Sequence, residues 1–245
     1  MKTVKIGHGA GDIIAAVPYI KALGGTHVYM LYQVPFIPHW HPVNHGAIVN
    51  LTSFIEKQGL IAYAIPWVDL CLYRYDIDMD LIDSGWTGAL GDIYTWNSLF
   101  CGVYPDMTKP FLYVEDVDPK NVMVITQTAR YVNPVIDYRA LNDYSCDKVF
   151  IGTESEYNFA MELYSGLKNI EYVPTADFYE ASKIIKASKL FISNQTALAV
   201  IAEGIAHNRI MVVNRECPYA IMKTPNGRPV LIQRFFEQAI ADMYN

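Results

Sequence analysis

The segment that most constrains this chain is a glycine-rich turn between a short apolar run and an apolar stretch with helical spacing. Residues 3–6 have the character of a strand, and residues 12–23 that of a helix beginning at Asp12. Glycines at three of the five intervening positions, 7–11, let the backbone turn tightly and approach a ligand closely. In open parallel sheets, ligands bind where a strand passes into a helix. The segment therefore predicts a βαβ opening with a binding edge at residues 7–12.

Asp12 is the first candidate for chemistry. It belongs to the first turn of the predicted helix, where exposed N–H groups and the helix dipole favour a negative charge. The alternative is that Asp12 only caps the helix, since aspartate is a preferred capping residue. His8, Gly9 and Gly11 are candidates for contact with an acceptor or a phosphate, although His8 is equally compatible with a bystander role.

Length and composition predict two domains. The chain has 245 residues, of which 52% are hydrophobic, enough for two cores in domains of about 110 to 120 residues. The stretch 109–119 contains acidic residues and two prolines with little helical periodicity, so it is the candidate linker. We predict domains over 1–117 and 118–245, and the final helix, 231–244, could pack on either of them.

Strand and helix patterns alternate in both halves. The predicted strands are 3–6, 27–33, 61–65, 79–82, 122–125, 149–151, 170–173, 190–193 and 210–213. The predicted helices are 12–23, 47–57, 91–101, 156–165, 176–187, 197–206 and 231–244. This alternation predicts an α/β fold with two successive doubly wound parallel sheets.

Charge and cysteine content exclude several classes of protein. The net charge of −6 excludes charge-driven, nonspecific binding of nucleic acid. The four cysteines are widely spaced and form no CxxC pair, so the chain has neither a zinc motif nor a disulfide framework. No stretch approaches about 18 uninterrupted apolar residues, and the N-terminus lacks a signal-like run. We expect a soluble, cytoplasmic protein without a transmembrane segment.

A long loop over 34–45 carries His39, Trp40, His41 and His45. Three histidines suggest a metal site, but no carboxylate or cysteine lies close by in the sequence, so we predict no metal. The flat face of Trp40, together with His41, is better suited to contact an acceptor sugar or base. An ordinary packed loop is the alternative.

The clearest signal in the second half is a polar segment between a strand and a helix. The apolar run 190–193 ends in Asn194, Gln195 and Thr196, a helix follows, and a further strand returns at 210–213. The N–H groups at the start of such a helix can hold a phosphate.

In these segments the chain resembles the ADP-heptose lipopolysaccharide heptosyltransferases, glycosyltransferase family 9. The resemblance lies in residues 11–23, 92–103, 109–114 and 124–130, and it extends over most of the chain. It implies a GT-B fold of two facing Rossmann-like domains and the activity of a hexosyl or heptosyl glycosyltransferase. It also implies that Asp12 is the general base.

The chain departs from the family at the donor motif. The family has Asp-Thr/Ser-Gly followed by a histidine, and the equivalent positions here are Gln195, Thr196, Ala197 and Val200, of which only Thr196 agrees. The family's lysine after the Thr-Thr turn falls near Asn133, which leaves Arg130 as the nearest cation.

The resemblance implies that a sugar passes from a nucleoside diphosphate to an acceptor hydroxyl, with inversion and with neither metal nor cofactor. Thr128, Arg130 and the helix start at Gln195 and Thr196 are expected to hold the diphosphate, since guanidinium and N–H donors match phosphate oxygens. Glu203, two turns into that helix, is expected to reach ribose hydroxyls. The alternative for Glu203 is a solvent-facing helical side chain.

The expected partners are a nucleotide sugar and a carbohydrate or glycoconjugate acceptor. Two other functions stay open. One is a catalytically silent nucleotide- or sugar-binding protein of the same fold. The other is a glycosyltransferase that acts on a modified nucleic-acid base, which the acidic balance of the chain disfavours.

Overall fold

The computed structural model describes residues 1–7, 9–32, 45–66, 74–79, 93–215 and 223–244. The chain forms two compact units. The first consists of residues 1–107, 111–113 and 177–179, and the second of 108–110, 114–176 and 180–245. The predicted division into domains 1–117 and 118–245 stays a prediction.

Within the described residues, the first unit contains a parallel sheet of four strands with the order β3-β2-β1-β4. The strands are β1 (Lys2–Ile6), β2 (Gly25–Tyr32), β3 (Ile61–Pro66) and β4 (Ile77–Asp78). The described helices are α1 (Ala10–Ala22), α2 (His45–Lys57) and α3 (Ile93–Cys101). The middle of α1, residues 13–20, is buried throughout, because this apolar helix packs against β2, α2 and α3.

Gly25 shows how closely α1 and the sheet pack. A Cβ at this position would lie 2.8 Å from side-chain atoms of both Ile20 and Val4. Only glycine allows the start of β2 to come this close to α1 and β1.

The described part of the second unit contains a parallel sheet of six strands with the order β10-β9-β8-β5-β6-β7. Its strands are β5 (Val122–Thr126), β6 (Asp147–Phe150), β7 (Ile170–Tyr172), β8 (Leu190–Ser193), β9 (Arg209–Val212) and β10 (Gly227–Val230). Its helices are α4 (Glu154–Leu163), α5 (Phe178–Ala187), α6 (Ala197–Gly204) and α7 (Gln233–Tyr244), with short 3-10 helices at Ala129–Tyr131 and Tyr138–Asp143.

The strand order of each sheet reverses next to its first strand. In the second unit the chain runs outward from β5 to β6 and β7, and then returns to the other side of β5 for β8, β9 and β10. This is the Rossmann order, and its reversal lies between β5 and β8. In the first unit the reversal lies between β1 and β4. Ligands of such sheets bind outside the carboxyl ends of the strands at these reversals.

The final helix packs on the second unit. Phe236, Ala239 and Ile240 of α7 are buried in the core of that unit. At the end of the helix, the Tyr244 hydroxyl donates a hydrogen bond to Oδ1 of Asn121 at 3.0 Å. The alternative left open by the sequence is therefore decided in favour of the second half.

Two strands differ from the prediction. β10 was not predicted, because Gly227 and Pro229 interrupt its sequence pattern. Among the described residues it is an edge strand that pairs with β9 alone, and proline is tolerated at such edges. β4 lies at Ile77–Asp78 rather than at 79–82, and residues 80–82 are outside the described part of the chain. None of the helices in the described ranges is both long and apolar enough to cross a membrane.

Candidate active site

Asp12 lies at the carboxyl edge of the first sheet. β1 passes into α1 through residues 7–9, and Gly9 precedes the helix as its N-terminal cap residue. Gly9 O accepts a backbone hydrogen bond from Asp12 at 2.9 Å, which makes Asp12 the third residue of the helix. Its carboxylate folds back over the turn, with Oδ2 only 3.0 Å from the place that a Cβ on Gly9 would occupy.

This position bears on both interpretations of Asp12. Asp12 is half-buried at the start of α1, where the helix dipole favours a negative charge, and a general base needs a carboxylate that an acceptor can reach. The N-terminal cap residue is Gly9 and not Asp12, so the capping alternative is wrong as stated, although a carboxylate in the first turn still complements the helix dipole. Gly11 is the second residue of α1, whereas His8, Trp40 and His41 lie outside the described residues.

At the carboxyl edge of the second sheet, Thr128 and Asn194 connect the ends of β5 and β8. The Thr128 N–H donates to Asn194 Oδ1 at 3.0 Å, and Asn194 Nδ2 donates to the Thr128 carbonyl at 2.9 Å. These bonds span the reversal of strand order. They hold the start of the turn that carries Arg130.

Asn133 holds the far end of the same turn. Its Nδ2 donates to the carbonyls of Val213 at 2.8 Å and Leu231 at 3.1 Å, and only 1% of its surface is exposed. Both amide protons are therefore used within the protein. Asn133 therefore fastens the turn to the ends of β9 and β10.

Asn214 adds a second fastening. Its Nδ2 donates to the Val132 carbonyl at 2.9 Å, while its own N–H donates to Gln195 Oε1 at 2.8 Å. Gln195 is thus engaged within the edge, and it links the loops that follow β8 and β9.

Arg130 lies in the fastened turn, within the 3-10 helix, and is exposed. Its guanidinium carbon lies 4.7 Å from the ring centroid of Tyr131. The stacking limits the freedom of the side chain. The turn therefore presents a cation at the sheet edge, where an anion can meet it.

Thr196 caps α6, and its hydroxyl accepts a hydrogen bond from the Ala199 N–H at 3.1 Å. The N–H groups of residues 197 and 198, at the start of the helix, are the ones that a phosphate would meet. The structure thus brings Thr128, Arg130, Gln195 and Thr196 to one edge of the second sheet, as the sequence predicts.

Comparison with known proteins rests on structure. No protein-family model and no curated protein matches the sequence. The structure of E. coli ADP-heptose lps heptosyltransferase II matches with a TM-score of 0.69 and 11% identity, over 100% of this chain and 98% of that chain. The chain has the GT-B fold.

Two further structures agree. E. coli heptosyltransferase WaaC with ADP has a TM-score of 0.52 and 13% identity, over 98% of this chain and 99% of the other. A glycosyl transferase family 9 structure from Veillonella parvula has a TM-score of 0.54 and 8% identity, and the match covers 99% of this chain and 89% of that chain. The predicted GT-B-like α/β architecture is confirmed.

Glu203 lies in a buried ion pair, an environment that neither sequence interpretation describes. It is 2% exposed, so the solvent-facing alternative is wrong. Its Oε2 pairs with the Arg209 guanidinium, and its Oε1 accepts from the N–H groups of Lys223 at 2.6 Å and Thr224 at 2.7 Å. Within the GT-B fold this carboxylate lies near the amino ends of β9 and β10. The ribose contact stays a prediction, and both of its oxygens already serve the fold.

Sequence reasoning missed Asn194, Asn214 and Gln127. Gln127 directly follows β5 and is fully buried, and its Oε1 has no hydrogen-bond partner in the described part of the chain. Unsatisfied buried polar atoms are rare, and each one calls for an explanation. The signal that could have found these residues is an amide side chain one or two residues after a buried strand.

Among the described residues, no group of three or more histidine, cysteine, aspartate or glutamate side chains could hold a metal ion. The loop histidines His39 and His41 lie outside those residues. Metal independence therefore stays a prediction for this GT-B chain.

Proposed function

We propose that this protein is a glycosyltransferase that moves a sugar from a nucleoside diphosphate to an acceptor hydroxyl. The observation that carries the proposal is the full-length match to heptosyltransferase structures. It is supported by the placement of the predicted groups. Asp12 lies at the carboxyl edge of the first sheet, and Thr128, Arg130 and Thr196 lie at that of the second.

Asp12 serves as the general base in this mechanism. An acceptor hydroxyl within about 3 Å of the carboxylate gives up its proton as its oxygen bonds to the anomeric carbon. The bond between that carbon and the phosphate oxygen breaks, and its electron pair leaves with the diphosphate. Attack from the face opposite the leaving group inverts the anomeric centre.

The second sheet stabilises the leaving diphosphate. Arg130 supplies a full positive charge, the Thr128 hydroxyl supplies one donor, and the start of α6 supplies backbone N–H groups. These donors are aimed where negative charge develops, so they lower the barrier more than they strengthen ground-state binding. The proposed transfer needs no metal for this step.

ADP-sugars are the first donors to test. The similar E. coli WaaC structures contain ADP and ADP-2-deoxy-2-fluoro heptose. Carbohydrates and glycoconjugates are the proposed acceptors.

A second candidate is a binding protein without transferase activity. The observation that favours it concerns Gln195, which stands where the resembled family has its aspartate. Its Oε1 already accepts a hydrogen bond from the Asn214 N–H. Such a protein would bind a nucleotide sugar and release it unchanged.

The test is a thermal-shift screen of the whole protein against ADP-, UDP- and GDP-sugars and the free nucleotides. A ligand that binds only the folded state adds about 2.7 kcal/mol at a hundredfold excess over its Kd. The selected donor is then incubated with an acceptor panel, and nucleoside diphosphate release is followed. Selective binding with release supports the transferase, and binding without release supports the silent protein. No shift with any ligand overturns both.

A further inference from the structure

Asn194 is a buried amide at the reversal of the second sheet. It directly follows β8, and none of its surface is exposed. Its Oδ1 accepts from the N–H of Thr128, and its Nδ2 donates to the carbonyl of the same residue. Thr128 lies two residues after the end of β5. The side chain therefore extends the pairing of β5 and β8 beyond the last backbone pair, Thr126 with Ser193.

A third contact involves the side chain of Thr128. Asn194 Nδ2 lies 3.4 Å from Thr128 Oγ1. An amide nitrogen donates and does not accept, so the Thr128 hydroxyl is the acceptor in this contact. Its own proton is then directed elsewhere.

The Thr128 hydroxyl has no other hydrogen bond in the part of the chain that the structure describes. The residue is half-buried, so a ligand at the edge can reach it. A hydroxyl whose acceptor side is occupied by an amide donor offers its proton outward. A phosphate oxygen, which only accepts, is the matching ligand group.

We infer that Asn194 is a positioning residue that orients the Thr128 hydroxyl as a hydrogen-bond donor to the donor substrate's diphosphate. The inference rests on the proposed function, since it requires a nucleoside diphosphate at this edge. It assigns to Asn194 a role that acts through Thr128 and involves no contact with the sugar.

A purely structural role for Asn194 would also weaken binding when the side chain is removed. The two roles differ in whether the loss depends on the Thr128 hydroxyl. A double-mutant cycle of Asn194→Ala and Thr128→Val measures this dependence directly. The readout is the Kd for the nucleoside diphosphate that the screen selects, measured by calorimetry on the folded protein.

We expect each single substitution to weaken binding about tenfold, since each one disrupts the hydrogen bond from the Thr128 hydroxyl to the charged diphosphate. In the Thr128→Val protein, Asn194→Ala then weakens binding by less than about twofold further. An equal factor in both backgrounds overturns the inference and leaves the proposed function intact. A wild-type protein that binds no nucleotide overturns both.

Asn142→Ala is the matched control. Asn142 makes the same kind of bridge, accepting from the Lys168 N–H at 2.8 Å and donating to the Gly166 carbonyl at 2.9 Å, before the amino end of β7. Its removal is expected to lower stability and leave the nucleotide Kd unchanged. If Asn194→Ala does not fold, Asn194→Ser replaces it in the same cycle and is judged by the same criterion.

Discussion

The two edges of the second sheet use polar side chains in opposite ways. At the amino edge, Glu203 and Arg209 form a buried ion pair, and the Lys148 ammonium donates to two backbone carbonyls while 1% exposed. At the carboxyl edge, amides fasten the loops, but Arg130 is exposed and Thr128 is only half-buried.

The comparison indicates that the polar groups of the amino edge stabilise the fold, whereas those of the carboxyl edge are available for binding. Buried charges that are fully paired within the protein make the fold depend on them, because removing one partner leaves the other uncompensated. Exposed donors on a fastened turn cost the fold little and are prepared for a ligand. The four predictions below test this division.

The largest effect is expected at Asp12. Asp12→Asn removes the base but keeps the shape of the side chain, so kcat falls by about a hundredfold to ten-thousandfold. The Kd for the donor stays the same, and the free energy of unfolding changes by less than about 1 kcal/mol. Steady-state kinetics and calorimetry measure the three quantities.

Asp76→Asn is the control at the opposite edge of the same sheet. Asp76 Oδ2 accepts from the Thr3 N–H at 2.7 Å, at the amino end of β1. This variant should retain full kcat. A kcat that survives Asp12→Asn would leave Asp12 only its electrostatic role in the first turn of α1.

The next effect concerns the buried pair. Glu203→Gln leaves the Arg209 charge without its counterion, and the free energy of unfolding falls by about 3 to 5 kcal/mol. Urea denaturation measures it. Arg139→Gln, in an exposed pair with Asp137, should cost less than about 1 kcal/mol. A selective loss of nucleotide affinity in stable Glu203→Gln protein would instead establish the ribose contact.

His207 makes the amino edge sensitive to pH. Burial, and then the charge of Arg209, lower the pKa of His207 to about 4 from 6.5. The unfolded chain therefore binds the proton more readily between pH 6.5 and 4, and stability falls as the pH falls through this range. The loss by pH 4 is on the order of 2 to 3 kcal/mol.

Denaturation in urea at pH 7, 5.5 and 4 measures this dependence. His207→Gln retains a donor for Ser188 Oγ, which lies 2.9 Å from the ring Nε2, but cannot titrate. The variant should lose the part of the pH dependence above pH 4. An unchanged profile would assign the dependence to other groups.

The smallest effect is expected at Arg130. Arg130→Met removes an exposed charge, so the donor Kd rises about tenfold while the melting temperature is unchanged. Arg234→Met is the matched control, because Arg234 is also exposed and lies 4.8 Å from the ring of the next residue, Phe235. Equal losses in both variants would indicate general charge attraction rather than a site at Arg130.

Much of the fold could be predicted from local patterns. Apolar runs such as 190–193, and the switch to helical spacing at 197, are properties of neighbouring residues. β10 could not be found in this way, because its pattern contains proline and glycine. It is a strand only because β9 offers a parallel partner.

Part of the candidate site could also be predicted, because it follows local sequence patterns. Gln195 and Thr196 stand at a strand-to-helix junction that the sequence displays. Asn194 pairs with Thr128, which is 66 residues away in the chain. That pairing exists because β8 lies beside β5, which no local pattern reveals.

The amino-acid sequence by itself determined the alternation of strands and helices, the glycine turn at Asp12 and the polar start of α6. Periodicity, turns and caps depend on residues a few positions apart, so they can be read from the chain. The tertiary structure alone decided the strand order, the burial of Glu203 against Arg209 and the bridge from Asn194 to Thr128. These depend on which distant segments lie side by side, and that choice is made by the packing of the whole core.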